Sequence, residues 1–194
     1  MGNTIRENIE TKINQKLTEE EAQLLENWFI PFQAKKGEQI VFENKTSRAL
    51  YFVETGLTHT FVLDKKGVSN TVQFGFEGYW VGDMFSFFSG KPAIFNMEAI
   101  ETSTLSVMKY CDFEKACNQI PKFGRFFRIL VQNAYLGSLQ RIAKSFSDDA
   151  EQRYLELLKQ QPSLEQRVPQ YLVASYLGIK PQSLSRIRHK LFKP

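Results

Sequence analysis

Between Lys180 and Lys190 the chain places Lys180, Gln182, Ser183, Ser185, Arg186, Arg188, His189 and Lys190, all able to donate hydrogen bonds and none acidic. Side chains of these types suit the surface of a nucleic acid. Glutamine pairs bidentately with adenine and arginine with guanine in the major groove. Serine and lysine reach phosphates or bases. Leu184, Ile187 and Leu191, at spacings of three and four, form the opposite, inward face of one helix, and Pro181 suits its first position. Geometry then puts Lys180, Gln182, Ser183 and Arg186 near the end that would enter a groove, as base readers, with Ser185 on the same outward face. Arg188, His189 and Lys190 fall further along, where phosphate contact is expected.

Such a helix must be held at an angle by another. The stretch Gln170–Ile179 has the residues for that. Val173 and Leu177 face inward, and Ala174 is small where a second helix would cross it. Gly178, four residues later, tolerates the positive φ of a tight turn, and Ile179 plugs the core beneath it. The pattern predicts a helix-turn-helix. The plainer alternative is a basic amphipathic helix pair used for protein contact. It accounts less well for alanine, glycine and three apolar plugs at these offsets beside an acid-free face. Charge supports the first reading. Residues 166–194 hold six of the 25 Lys and Arg and no acid, against 19 bases and 21 acids in the rest of the chain.

Upstream lies a proline-free run from Lys122 to Ser147, preceded by Pro121. At about 1.5 Å per residue it predicts a rod of nearly ~40 Å. One apolar stripe is Phe123, Phe127, Leu130 and Ala134. The other is Leu136, Leu139, Ala143 and Phe146, flanked by Ile129 and Ile142. A single small sheet cannot bury both, so a second subunit is expected, the alternative being burial between two domains of one chain. Asp148 is expected to cap the next helix with Glu151 three residues on, and the domain boundary falls there. A helix over 151–159 follows, and a small strand is expected near Val168.

Residues 32–110 read differently. Short β-rich segments at 39–42, 49–53, 58–63, 70–74 and 105–108 alternate with turn signals such as Lys36-Gly37, Asp64-Lys65-Lys66-Gly67 and Glu77-Gly78. They predict an antiparallel sandwich or barrel of roughly 80 residues. Before it come Ile5, Ile9 and Ile13 at helical spacing. A capping box at Thr18 and Glu21 opens a helix with Ala22, Leu24, Leu25, Trp28 and Phe29 inward, and Pro31 is expected to end it.

With 42% apolar and 24% charged residues in 194, the chain is an ordinary globular one. It has no membrane-length apolar run and no signal-like start, so a cytoplasmic protein is expected. Gly2 invites a myristoylation reading, but Arg6 stands where that motif needs Ser or Thr. Cys111 and Cys117 match no common metal or redox spacing and are expected to be free buried thiols. Two histidines in different regions do not make a metal cluster. No Ser/His/Asp set, P-loop or dinucleotide fingerprint occurs, so no enzyme, cofactor or metal is expected.

Several segments together resemble the Crp/Fnr superfamily of bacterial transcription regulators, named for the cyclic-AMP receptor protein and the fumarate-nitrate reductase regulator. They are Lys36-Gly37-Glu38, Leu50–Gly56, Gly78–Asp83, Leu172–Gly178 and Ser185–Arg188, in family order along nearly the whole chain. The resemblance implies an α+β fold. Residues 1–120 would be an effector-sensing antiparallel β-roll, a cyclic-nucleotide-binding-like jelly roll with flanking helices. Residues 121–147 would be a long dimerisation helix, and 148–194 a DNA-binding helix-turn-helix of the winged type. It implies a homodimer on a pseudo-palindrome in double-stranded DNA, with RNA polymerase as a further partner. After the recognition helix only Phe192, Lys193 and Pro194 remain, so the wing is expected to be missing.

Members that bind cyclic nucleotides carry a Gly-Glu pair and, about ten residues on, an Arg-Ser pair. Here Gly82 and Asp83 hold the first position, and Ala93 and Ile94 the second; Ser138 falls near the hydroxyl that the family's long helix presents to the purine. No arginine occurs between Arg48 and Arg125, and Lys91, a flexible point charge, lacks the bidentate fork. A buried phosphodiester without a cation is costly, so cyclic AMP and cyclic GMP are not expected to bind. Met84, Phe85, Phe87, Phe88, Ile94 and Phe95 make the region apolar. It is either a core that has filled the vacated site or a pocket for an apolar, aromatic or unusual nucleotide effector. An iron–sulfur sensor would need cysteines before Cys111, and a haem would rest on His59 alone. A sensor acting only through protein contacts is the remaining alternative.

Overall fold

A computed structural model of the chain describes residues 4–192. Gly2, with its acylation reading, and Lys193 and Pro194, where the expectation of a missing wing falls, lie outside them. Contacts gather the chain into two units: Met1–Thr60 with Phe74–Ala134, and Phe61–Gln73 with Tyr135–Pro194.

The first unit opens on helices α1 (Ile5–Ile13) and α2 (Glu19–Glu26). Each starts with a reciprocal capping box, Thr4 with Glu7 and Thr18 with Glu21. Their junction is tied by the buried Glu10, which accepts Arg6 Nε at 3.1 Å, Lys16 Nζ at 2.6 Å and the Leu17 N–H at 3.0 Å. Those donors, Lys16 foremost, hold the Glu10 carboxyl down to about 2.

Eight strands follow: β1 (Phe29–Ala34), β2 (Gln39–Val41), β3 (Ala49–Thr55), β4 (Thr58–Leu63), β5 (Ser69–Gly75), β6 (Trp80–Val81), β7 (Asn96–Ala99) and β8 (Ser103–Lys109). They form two four-stranded sheets, ordered β1-β8-β3-β6 and β2-β7-β4-β5. This is the β-roll. β3 runs antiparallel to β8, with Tyr51 opposite Val107 and Phe52 opposite Ser106. Period-two alternation makes β3 serve two cores. Leu50 and Phe52 join Ile9, Leu25, Trp80, Met108, Phe113, Phe123 and Phe126 on the helical side. Tyr51 and Val53 join Val41, Val81, Met97 and Leu105 inside the roll. Each such large side chain, fully buried, contributes on the order of 1.5–3 kcal/mol.

Helix α3 (Met84–Ser89) sits between β6 and β7, and α4 (Tyr110–Gln119) leads into α5 (Pro121–Ser147). The second unit contains the rest of α5, then α6 (Ala150–Gln160), α7 (Leu164–Arg167), α8 (Gln170–Tyr176), α9 (Pro181–Phe192) and the tip of the β4–β5 hairpin. That tip is held by Ser175 of α8. Its hydroxyl accepts the Thr71 N–H at 2.9 Å and donates to the Ser69 carbonyl at 3.1 Å. Arg141 of α5 donates to the Val72 carbonyl and lies 5.3 Å from the centre of the Tyr176 ring.

Several local expectations change. α2 stops at Glu26, and Phe29 and Pro31 belong to β1. Proline is tolerated there because β1 is an edge strand, where an absent N–H breaks no ladder. The cap of α6 is Asp149, not Asp148, and its box partner is Gln152 rather than Glu151. Both registers satisfy the spacing rule, and only packing separates them. Val168 is no strand residue but the extended C-cap of α7. Cys111 is exposed and Cys117 half-buried, because α4 turns Phe113 and Ala116 inward instead.

Candidate functional site

Leu172, Val173, Ala174 and Leu177 are buried, and Ala174 is wholly so. Gly178 takes φ +69°. Its N–H donates to the Ser175 carbonyl at 3.0 Å and the Ile179 N–H to that of Ala174 at 3.0 Å. This pair of bonds is a Schellman C-cap, which needs a left-handed residue at Gly178. Helix α9 then starts at Pro181, with Leu184 buried and Ile187 and Leu191 half-buried.

The opposite face of α9 carries the expected residues. Lys180, Gln182, Ser185, Arg186, His189 and Lys190 are exposed; Ser183 and Arg188 are half-buried. α9 itself is free of acids, but its surroundings are not. Arg188 Nε donates to Glu165 at 3.0 Å, and the same carboxylate oxygen accepts the Tyr154 hydroxyl. Burial first, then Glu165, pushes the Tyr154 phenol well up, so it stays a donor. Lys190 Nζ reaches Glu151 at 2.7 Å, which raises the lysine. Arg153 supports the turn by donating to the Leu177 carbonyl at 3.1 Å and the Asp148 carbonyl at 2.8 Å. The sequence reading missed Arg153, Glu165 and Glu151, because their partners lie 24, 23 and 39 residues away.

The second candidate region is used internally. Asp83 is buried and caps α3. One oxygen accepts the Ser86 N–H at 2.7 Å; the other accepts the Ile94 and Phe95 N–H groups at 2.8 and 2.9 Å. The buried Ala93 donates its N–H to the Lys45 carbonyl at 3.0 Å and accepts the Asn44 N–H at 2.9 Å. Gly82, at φ +140°, passes close to the Ala49 carbonyl. Phe85 and Ile94 are exposed, whereas Phe87 is core, stacked edge-on against Tyr110 and Phe113. Ser138 is exposed on the part of α5 that belongs to the second unit. Within the first unit, Asp83, Ala93 and Ile94 thus spend their hydrogen-bonding groups on the protein's own backbone. His59 is buried, and desolvation lowers it to about 4.

The apolar stripes of α5 also part company. Phe123 and Phe127, with Phe126, are buried. Leu136, Leu139, Ile142 and Phe146 are exposed, the last by 87%.

Residues 31–120 match the cyclic nucleotide-binding domain family. The fold around that domain is shared with proteins of solved structure. FixK2 from Bradyrhizobium japonicum is 19% identical, with a TM-score of 0.73 and 84% of each chain covered. The c-di-GMP responsive global regulator CLP from Xanthomonas campestris is 14% identical, with a TM-score of 0.69 over 90% of this chain and 91% of that one. The Thermus thermophilus catabolite activator protein is 21% identical, with a TM-score of 0.59 over 93% and 86%. No curated protein sequence matches the chain. Among the described residues no helix is long and apolar enough to cross a membrane, and no group of three or more His, Cys, Asp or Glu is placed to hold a metal ion.

Proposed function

We propose that the chain is a DNA-binding transcription regulator of the Crp/Fnr type. The observation that carries this reading is the exposed face of α9: Gln182, Ser185, Arg186 and His189 project from a helix that the Gly178 turn and Leu184 fix in place, with Lys180 exposed just before its start. Gln182 and Arg186 are the base readers, with Lys180 and Ser183 beside them. Ser185, Arg188, His189 and Lys190 take phosphates, Arg188 and Lys190 by exchanging a surface carboxylate for a phosphate. That exchange is easy, since such ion pairs contribute only about 0–1 kcal/mol.

The protein acts as a homodimer through α5. Tyr135, Leu139, Ile142 and Phe146 are exposed at spacings of four, three and four, the seam of a two-stranded coiled coil. Residues 1–120 then form the sensor, 121–147 the dimer helix and 148–194 the DNA-binding part. RNA polymerase is the partner on which such a regulator would act.

Cyclic AMP and cyclic GMP are not effectors. Both Asp83 oxygens and the N–H groups of Ala93, Ile94 and Phe95 are already paired within the protein, and no cation stands at 93 or 94. The polar groups that would meet a cyclic phosphate are thus committed to the protein's own backbone.

Selection of genomic fragments by purified protein tests the proposal. Enrichment of a two-fold site with half-sites about 34 Å apart supports it. Binding that shows no sequence preference and a flat log–log salt dependence overturns it. Saturable calorimetric heat with cyclic AMP would overturn the account of the sensor alone.

A further inference from the structure

The roll has an open groove of about 440 Å³ between β2, the 42–48 loop, the start of β3 and Lys109 at the end of β8. That volume is in the range of small-molecule sites. Val41, Ala49 and Tyr51 supply apolar wall, and Lys45, Arg48 and Lys109 supply charge; among the described residues that line it, none is acidic. None of the residues from Gly82 to Ile94 lines it; that segment braces the groove from behind.

Arg48 and the loop that bears Lys45 are held in place. The Arg48 carbonyl accepts the Tyr110 N–H at 3.0 Å, and its guanidinium stacks 3.8 Å from the centre of the Tyr110 ring. Gly90 makes room for it: a Cβ there would stand 2.7 Å from Arg48 Nη1. The loop bearing Lys45 is pinned by Ala93 on both sides, by the Thr46–Pro92 bridge, and by the Ser47 N–H donating to Ser86 Oγ at 2.8 Å. Lys45 Nζ lies 4.6 Å from the Phe42 ring centre. The Tyr51 phenol is pushed up by burial, so its hydroxyl remains protonated. A fixed guanidinium, two flexible ammonium groups and an apolar wall bind a molecule that is itself half apolar and half anionic.

We propose that this groove binds an amphipathic organic anion, with an aryl group against Val41, Ala49 and Tyr51 and a carboxylate or phosphate among Lys45, Arg48 and Lys109. The site goes beyond the reading of α9, and its test needs no DNA. The full chain is titrated calorimetrically with naphthoate, naphthyl phosphate and the uncharged naphthyl methanol. One site per chain is expected for at least one anion, about tenfold tighter than for the alcohol. The order of the two anions assigns the head group. Lys45→Ala with Lys109→Ala should weaken the better anion about tenfold at unchanged melting temperature. Ala49→Phe should fill the apolar wall and remove binding of all three. Absence of saturable heat with both anions, equal affinity for the alcohol, or unchanged affinity in the double-lysine variant overturns the proposal.

Discussion

Glu165 and Arg188 form an ion pair at 3.0 Å across the second unit, and Tyr154 donates its hydroxyl to the same carboxylate oxygen. One acid from α7 thus restrains a cation on the outward helix and a buried phenol beneath it. The first consequence concerns DNA affinity. Glu165→Gln should release Arg188 and strengthen binding several-fold, with the log–log salt slope steepening by about 0.9. In an Arg188→Ala background the same change should leave the slope unaltered. Titrations at several salt concentrations measure both.

Arg186 is exposed near the N-terminal end of α9. Arg186→Ala should cost about 1–3 kcal/mol of discrimination at one operator position and leave the others unchanged. Sequencing of selected sites reads this directly. Uniform weakening at every position would reassign Arg186 to phosphate.

Gly178 has φ +69°. Gly178→Ala should destabilise the second unit by about 1–2 kcal/mol, the left-handed penalty of an L residue. Gly178→Asn should cost less, because asparagine tolerates that region better. Denaturant midpoints compare the two.

The turn shows what kinds of feature a sequence exposes. Ala174, Gly178 and Leu184 are read easily because each is sterically required within one short segment. The Thr18 box and β4 are legible for the same local reason. Asp83 is different. Its cap to α3 is local, on the Ser86 N–H, but its other oxygen takes the Ile94 and Phe95 N–H groups 11 and 12 residues on, so an acid that serves the backbone reads like the remnant of a ligand site. β6 has two residues and exists only through its pairing with β3. Glu165 and Glu151 lie outside the acid-free stretch 166–194, and folding, not spacing, brings them to α9.

His59 is buried and lowered to about 4 by desolvation, from an unfolded value of 6.5. The unfolded chain therefore binds the proton more readily. Stability from the neutral imidazole is complete above about pH 6.5 and is lost as the pH falls toward 4, by at most about 1.4 kcal/mol per pH unit. Thermal melts across that window should show the decline. His59→Gln should flatten it.

Leu139 and Ile142 are exposed on α5. Leu139→Asp with Ile142→Asp should shift sedimentation toward a single chain and leave the circular dichroism of the roll unchanged, since the buried Phe123, Phe126 and Phe127 are untouched. Operator affinity should fall steeply in parallel, because each half-site would be held alone.

The hydroxyl of Ser175 bears on a different hazard. β5 closes one side of its sheet, and an open strand border invites the strands of neighbouring molecules to add on. By occupying the Thr71 N–H and the Ser69 carbonyl, Ser175 gives that border a partner from the protein's own chain, and the sheet is blunted against self-association where it would otherwise be most easily extended.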